Sequence, residues 1–352
     1  MKKLAIILIS CSTVFHTSLK AQDEEQDVKD PVIYTVAFNV VPDGFNAPLI
    51  GFINIAKGNH SNLQLGFANT NYRNLSGAQL GFINTVGANT SGLQAGFINT
   101  TGASLKGLQY GFMNTVGGNA DGLQAGFLNT TAGNMKGIQL GFVNTVAKEN
   151  TGIQGGFINM SGREIKGAQF GFLNISRKLS GLQLGFINIL DTLETGIPIG
   201  FLSFVRHNGF QAIEVSANEM YPINVSFKTG VKYFYTSLIA SYNPQMKRGF
   251  ASGAGIGSII TLSDAFYFNP ELNTVNSIGK DFHKTTSLSP AFGFVLAPKL
   301  HLIAGPSVSW FYSKPNGETN HPLLPIFEYE ADTNNELIVG FRLALRYSFR
   351  EF

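Results

Sequence analysis

Cysteine is almost absent. The 352-residue chain holds one, Cys11, and a single Trp. Cys11 falls in an N-terminal stretch that reads as a secretory signal. A processed chain therefore has no thiol for a disulfide, a thiolate metal site or a nucleophile, unless Cys11 is itself retained and lipidated. Charge is scarce too, at 13% Asp, Glu, Lys and Arg. The small basic excess disappears once Lys2, Lys3 and Lys20 leave with the signal, so nothing argues for nucleic acid. No apolar run reaches the ~20 residues that a membrane-spanning helix needs. Catalytic signatures are missing as well. His16, His60, His207, His283, His301 and His321 are scattered without metal-ligand spacing. There is no GxSxG, HExxH, P-loop or dinucleotide fingerprint. The expectation is a protein that is not an enzyme and takes no cofactor and no metal.

Residues 1–21 have the order of a signal peptide: Lys2-Lys3, an apolar run from Leu4 to Phe15, then Ser18-Leu19-Lys20-Ala21, with cleavage expected after Ala21. Leu8-Ile9-Ser10-Cys11 also resembles a lipobox, which leaves lipidation of Cys11 open. Residues 22–46 read as an acidic leader (Gln22 to Asp30) followed by a first strand.

What the chain has in abundance is a repeat. Gly-Phe, one apolar residue and then Asn or Ser recur eleven times between residues 51 and 203, in steps of 15 with one step of 14 between Gly171 and Gly185. Such regularity means one structural unit, copied and stacked, over residues 47–208. Gly92 to Thr100 (GLQAGFINT) is a clean copy. Its alternation predicts one strand per repeat, with Leu93, Ala95, Phe97 and Asn99 on one face and Gln94, Gly96, Ile98 and Thr100 on the other. Two architectures fit: a β-solenoid with one coil per repeat, and an antiparallel meander inside one large barrel. Equal connection lengths favour the solenoid.

In that solenoid Phe52, Phe67, Phe82, Phe97, Phe112, Phe127, Phe142, Phe157, Phe172, Phe186 and Phe201 are expected to form one buried column. Removing a ring from it (Phe112→Ala) should then cost about 3–5 kcal/mol. Asn84, Asn99, Asn114 and Asn129, with their counterparts, are expected to form an amide ladder at the turn, and the Gln residues a second ladder. The Gly before each Phe reads as a place of close backbone approach. Thr70, Thr85, Thr100, Thr115, Thr130 and Thr145 follow Asn in six successive copies, and read as a structural ladder near the turn. The last copy has Pro198 for Gln and Ser203 for Asn, and looks like an exit from the array.

From residue 209 the pattern changes. Val339, Phe341, Leu343, Leu345, Tyr347 and Phe349 alternate with Gly340, Arg342, Ala344, Arg346, Ser348 and Arg350. One apolar and one basic face suit a membrane β-strand with lipid outside and a polar lumen inside. Candidate strands are 211–218, 223–228, 231–241, 249–262, 266–272, 287–297, 300–312 and this last one. About eight antiparallel strands would close a small barrel filled by side chains, with loops at 279–286 and 314–335. The fold class is thus all-β: a repeat solenoid followed by an antiparallel membrane barrel over 209–352.

The GxQxGFxN units, followed by Ala265-Phe-Tyr-Phe-Asn-Pro-Glu-Leu272 and Leu302-Ile-Ala-Gly-Pro-Ser307, resemble surface-repeat proteins of Bacteroidetes and spirochaetes. The last third is similar to outer-membrane β-barrel families of Gram-negative bacteria, and Phe352 resembles their terminal aromatic assembly signal. The resemblance implies no catalytic residues. The functional expectation is a non-enzymatic outer-membrane surface protein, whose partners are outer-membrane lipid and an unidentified surface ligand. Two other readings stay open: a porin-like channel, and a periplasmic or lipidated scaffold.

Overall fold

The computed structural model describes residues 32–351, apart from 247–248, 278–281, 314–324 and 333. The signal, Cys11, the acidic run and Phe352 lie outside the described residues. All regular structure among those described is β-strand.

The repeats coil into a parallel solenoid, from the strand Phe38–Val41 to the strand Ile197–His207. Equal positions pair in register: Gln94 with Gln109 and Gln109 with Gln124, Asn99 with Asn114 and Asn114 with Asn129. Parallel pairing rules out one large antiparallel barrel that includes the repeats. The single 14-residue step is absorbed where the register shifts between Ser161 and Glu164, in the return segment.

The phenylalanine column is reversed from expectation. Phe52, Phe67, Phe82, Phe97, Phe112, Phe127, Phe142, Phe157, Phe172, Phe186 and Phe201 do stack, but on the outside, and Phe112 is 42% exposed. The cause is a bend. In the coil that starts at Thr90, one strand runs Thr90–Ala95, the chain bends at Gly96–Phe97, and a second runs Ile98–Thr101. Gln94 and Asn99 are five residues apart, so a straight strand would send them to opposite faces. The bend turns both inward and puts Phe97 on the outer corner. Later coils keep the same inward set within unbroken strands such as Met135–Val146.

The asparagines therefore do not sit at an exposed turn. Asn84, Asn99 and Asn114 are fully buried and Asn129 nearly so. Each side-chain Nδ2 donates to Oδ1 of the next coil: Asn84 to Asn99 at 2.9 Å, Asn99 to Asn114 and Asn114 to Asn129 at 2.8 Å. The glutamines run the other way, with Gln109 donating to Gln94 at 2.8 Å and Gln124 to Gln109 at 2.9 Å. Asn99 Nδ2 also donates to the carbonyl of Tyr110, 2.9 Å away, which ties its coil to the next one. That bridge explains the glycine before each Phe. A Cβ at Gly111 would lie 2.6 Å from Asn99 Nδ2 and collide with the carbonyl of Gly96. Only two further inward positions per coil remain, such as Leu105 and Val116, or Thr90 and Thr101, whose hydroxyls bond at 2.7 Å.

Both ladders end in substitutes. At the first coil the Thr35 N–H donates to Asn39 Oδ1 at 2.8 Å. At the last, Asn188 donates to the Ser203 hydroxyl at 3.2 Å. Pro198 occupies the next glutamine position, and Gln183 Oε1 has no partner.

The remaining third is a closed up-and-down barrel. Its strands are β1 (Phe210–Ala217), β2 (Ile223–Val231), β3 (Phe234–Tyr242), β4 (Phe250–Gly257), β5 (Phe266–Ser277), β6 (His283–Ala297), β7 (Leu300–Ser313) and β8 (Asn335–Ser348). Neighbours are antiparallel, and β8 closes on β1 from Ala212↔Ser348 to Ala217↔Leu343. Three expected boundaries move. The stretch expected as one strand at 249–262 is β4 plus a short hairpin strand, Ile260–Ser263. β6 begins at His283, inside the expected loop. Phe327–Asp332, inside the other expected loop, pairs with the start of β8 outside the closed wall. The hairpin between β2 and β3 caps the solenoid: the hydroxyls of Thr229 and Thr236 donate to the carbonyls of Ser203 (2.7 Å) and Phe201 (2.6 Å). Those carbonyls belong to the last coil, which has no further coil to accept from.

The packing sets an order of stability effects. Asn114→Ala should cost about 2–4 kcal/mol, because it orphans the amides above and below it in a dry interior. Phe112→Ala should cost only ~1 kcal/mol in water, since its ring is already half exposed. Denaturant unfolding of both variants checks this. Equal losses, or a larger loss for Phe112→Ala, would mean that the ladder is not what holds the coils.

Candidate functional site: an apolar edge and a charged lumen

Two features stand out from the packing. The first is the outer edge of the solenoid. Its phenylalanine rings stack with centroids 4.8–5.2 Å apart over all eleven members. Outward residues beside the edge are mostly apolar. Leu65, Tyr110, Leu140, Phe170 and Leu184 lie just before the Gly-Phe corner, and all are exposed. Ile83, Ile98 and Met113 lie just after it, half-buried, with the threonine column next to them on the same outer face. The thr column is thus part of a strand and not of a turn.

The return segment is polar by contrast. Lys106, Asp121 and Lys136, expected there, stand beside it at the start of the first strand of their coils, and it carries an outer asparagine row in which Asn89 donates to Asn74 at 3.0 Å and Asn74 to Asn59 at 2.9 Å. Lys166 pairs there with Glu149 (3.2 Å) and Glu164 (3.7 Å). A 2.6 Å bond from the Ser180 hydroxyl, aided by Lys166 and Lys178, holds the Glu164 carboxyl below its usual range. Such exposed pairs add little stability. They give each coil an apolar corner and a hydrated back.

The second feature is the barrel lumen. Alternation along β8 sends Arg342 and Arg346 inward and leaves Phe341, Leu343, Leu345 and Tyr347 about half exposed on the outside, as the sequence pattern predicts. The inward arginines meet two carboxylates. Arg346 contacts Glu214 at 2.7 Å and Glu271 at 3.0 Å. Arg342 contacts Glu271 at 2.8 Å and also pairs with Glu214. Lys228 Nζ lies 2.7 Å from Glu271 and 3.4 Å from Glu214. Tyr235 donates to Glu271 at 2.5 Å, and Asn269 donates to the Tyr235 oxygen at 2.6 Å. Glu214 and Arg346 face one another across the closing β1–β8 pair. Glu214, Lys228 and Glu271 were not singled out in the sequence. Their signal was a charge framed by apolar neighbours in a strand, as in Ile213-Glu214-Val215.

One end of the lumen is further filled by the turn between β1 and β2. Glu219, Met220 and Tyr221 are buried there. Ser307 donates to Glu219 at 3.1 Å, as does Ser309, and Tyr221 bonds His283 at 3.2 Å. A cavity of about 30 Å³ remains beside Lys228 and Arg342, room for one or two waters. Among the described residues no cluster of three or more His, Cys, Asp or Glu could hold a metal.

Comparison with known proteins gives no match: no family model, no curated protein and no solved structure aligns with this chain. The functional reading therefore rests on geometry.

Glu271 is the hub of the lumen, touching Lys228, Arg342, Arg346 and Tyr235. Glu271→Ala leaves three buried cations facing one carboxylate, and should destabilise the barrel by about 3–5 kcal/mol. The check is the urea midpoint of the barrel, read from the fluorescence of Trp310 on its outer wall. An unchanged midpoint would mean that water already solvates these charges.

Proposed function

We propose that this protein is a non-enzymatic outer-membrane protein: the barrel anchors it in the bilayer, and the repeat array is a rigid scaffold held at one rim. The observation that carries the reading is the inverted polarity of the barrel. Ion pairs and hydroxyls lie inside it between two buried apolar clusters, while Ile213, Val215, Val225, Leu288, Phe341, Leu343 and Leu345 are exposed outside. A wall of that kind suits acyl chains, and closure leaves no unpaired edge within the hydrocarbon.

The lumen argues for an anchor over a porin-like channel. Among the described residues, side chains and the inserted β1–β2 turn occupy the lumen, beside a cavity of about 30 Å³. Connection lengths suggest an orientation. At the rim where the solenoid enters, β2–β3 and β6–β7 are joined by the two residues Lys232-Tyr233 and Pro298-Lys299, and β4–β5 by residues 258–265 with their short hairpin strand. At the other rim β1–β2, β3–β4, β5–β6 and β7–β8 are joined by residues 218–222, 243–249, 278–282 and 314–334, longer in sum. Outer-membrane barrels keep short turns on the periplasmic side. By that rule we read the array as facing the periplasm, beneath the membrane, and not as displayed on the cell exterior.

Expression of the full chain with membrane fractionation tests the anchor. The expected result is recovery with the outer membrane, a mobility on gels that changes on heating, and no stepwise current in planar bilayers. Recovery in the periplasmic fraction would favour a soluble scaffold, and steady unitary currents would favour the channel.

A further inference from the structure

The phenylalanine edge does not stop at the last coil. Phe201, its final member, is one wall of an open groove. Its other walls come from barrel strands β2, β3 and β4 and include Val225, Phe227, Leu238 and Ala254. Val225 is exposed on the outer surface of the barrel, as Phe201 is on the edge of the solenoid. A groove holds one solvent. If the outer wall of β2 and β3 stands in acyl chains, those chains also wet Phe201.

From Phe201 the ring stack runs without a gap to Phe52, with no centroid spacing above 5.2 Å. Between Phe82 and Phe172 successive ring planes are tilted by no more than 5°, and the whole stack spans roughly 50 Å at ~4.8 Å per coil. An exposed apolar strip of that extent marks an interaction surface.

We infer that the solenoid lies along the bilayer with its phenylalanine edge in the acyl layer beside the barrel, so that membrane lipid is the partner of the Gly-Phe motif. The inference rests on the reading of the barrel as a membrane anchor. Three properties of the coil suit it. Parallel pairing satisfies the amides on both sides of the corner, as Gly111 N–H donates to the Ala125 carbonyl and Met113 N–H to the Phe97 carbonyl, which limits the open donors an apolar edge carries into hydrocarbon. Lys106 and Lys136 stand at the start of the first strand of their coils, at the end far from the edge, and the outer asparagines lie on the return segment, where water and headgroups solvate them. The edge is a convex corner between two short strands, around which fluid chains can close, whereas two such corners from separate copies would bury little of each other. With the short-turn rim as reference, the leaflet is the one on the solenoid side of the barrel.

The test uses the full chain in a Cys11→Ser background, refolded into vesicles of phosphatidylcholine and phosphatidylglycerol. Single cysteines replace Phe112 or Phe142 on the edge, Lys106 on the polar side, or Leu343 on the outer barrel wall, and each carries a nitroxide. Collision with oxygen, which partitions into lipid, is compared with collision with a water-soluble nickel chelate. Labels at 112, 142 and 343 should show an oxygen-to-nickel ratio several-fold above that of the label at 106. Two edge positions guard against a local defect in one coil. A water-like ratio at 112 and 142 with a lipid-like ratio at 343 would overturn the inference and leave the anchor standing. A water-like ratio at 343 would overturn both. Spin–spin broadening at 112 and 142, with neither collider reaching them, would show a second copy on the edge and overturn lipid as its partner.

Discussion

The buried amide ladder is the interaction on which the rest of the solenoid depends. An asparagine side chain offers both a donor and an acceptor, so a column of them at coil spacing satisfies itself from one end to the other. Asn39 to Asn188 forms such a column, closed by the Thr35 amide below and the Ser203 hydroxyl above. The glutamine ladder runs antiparallel to it, so the two rows of amide dipoles oppose each other. Other conserved features of the unit follow from fitting this column in. The second Nδ2 hydrogen reaches the carbonyl of the next coil, which demands glycine at the point of approach. The bend at that glycine brings glutamine and asparagine to the same side and leaves phenylalanine no place but the outer corner.

Solenoid and barrel both bury polar networks and expose apolar rows. Inside the solenoid two amide ladders run beside buried apolar rows such as Leu105 and Val116; inside the barrel two carboxylates sit among three cations, with tyrosine and asparagine completing the bonds and apolar side chains such as Ile303 and Phe311 above and below. Interior hydrogen bonds and register act with buried apolar clusters to hold the chain, and a row of apolar side chains remains on the surface. The two parts meet where the barrel hairpin seals the open carbonyls of the last coil through Thr229 and Thr236. The same junction aligns their outer surfaces at Phe201.

Much of the fold was legible in the residues. The 15-residue period and equal connections favoured parallel stacking, since antiparallel strands would need connections on alternate sides, and the in-register pairing decided it. The alternation of Phe341 to Tyr347 with Arg342 and Arg346 specified which way β8 faces, because a strand without a bend obeys a period of two. The candidate site was less legible. A period of two applied across Gly96 and Phe97 put Gln94 and Asn99 on opposite faces and Phe97 in the core. The rule failed at one bend, and that bend inverted inside and outside for the whole repeat. The lumen hub was hidden for another reason. Glu214, Lys228 and Glu271 come from three strands spread over nearly sixty positions, and only closure of the barrel makes them neighbours.

The sequence alone therefore determined the class of the protein: one unit repeated, stacked amides, and a second region of alternating strands. These are local or periodic properties, carried by every copy of the motif. Tertiary structure decided what faces outward. Whether a ring is core or surface depends on the direction of the chain at one glycine, and whether an arginine is solvated or paired depends on which strands close the ring. Both are set by contacts between residues distant in the chain, which no single copy of the motif contains.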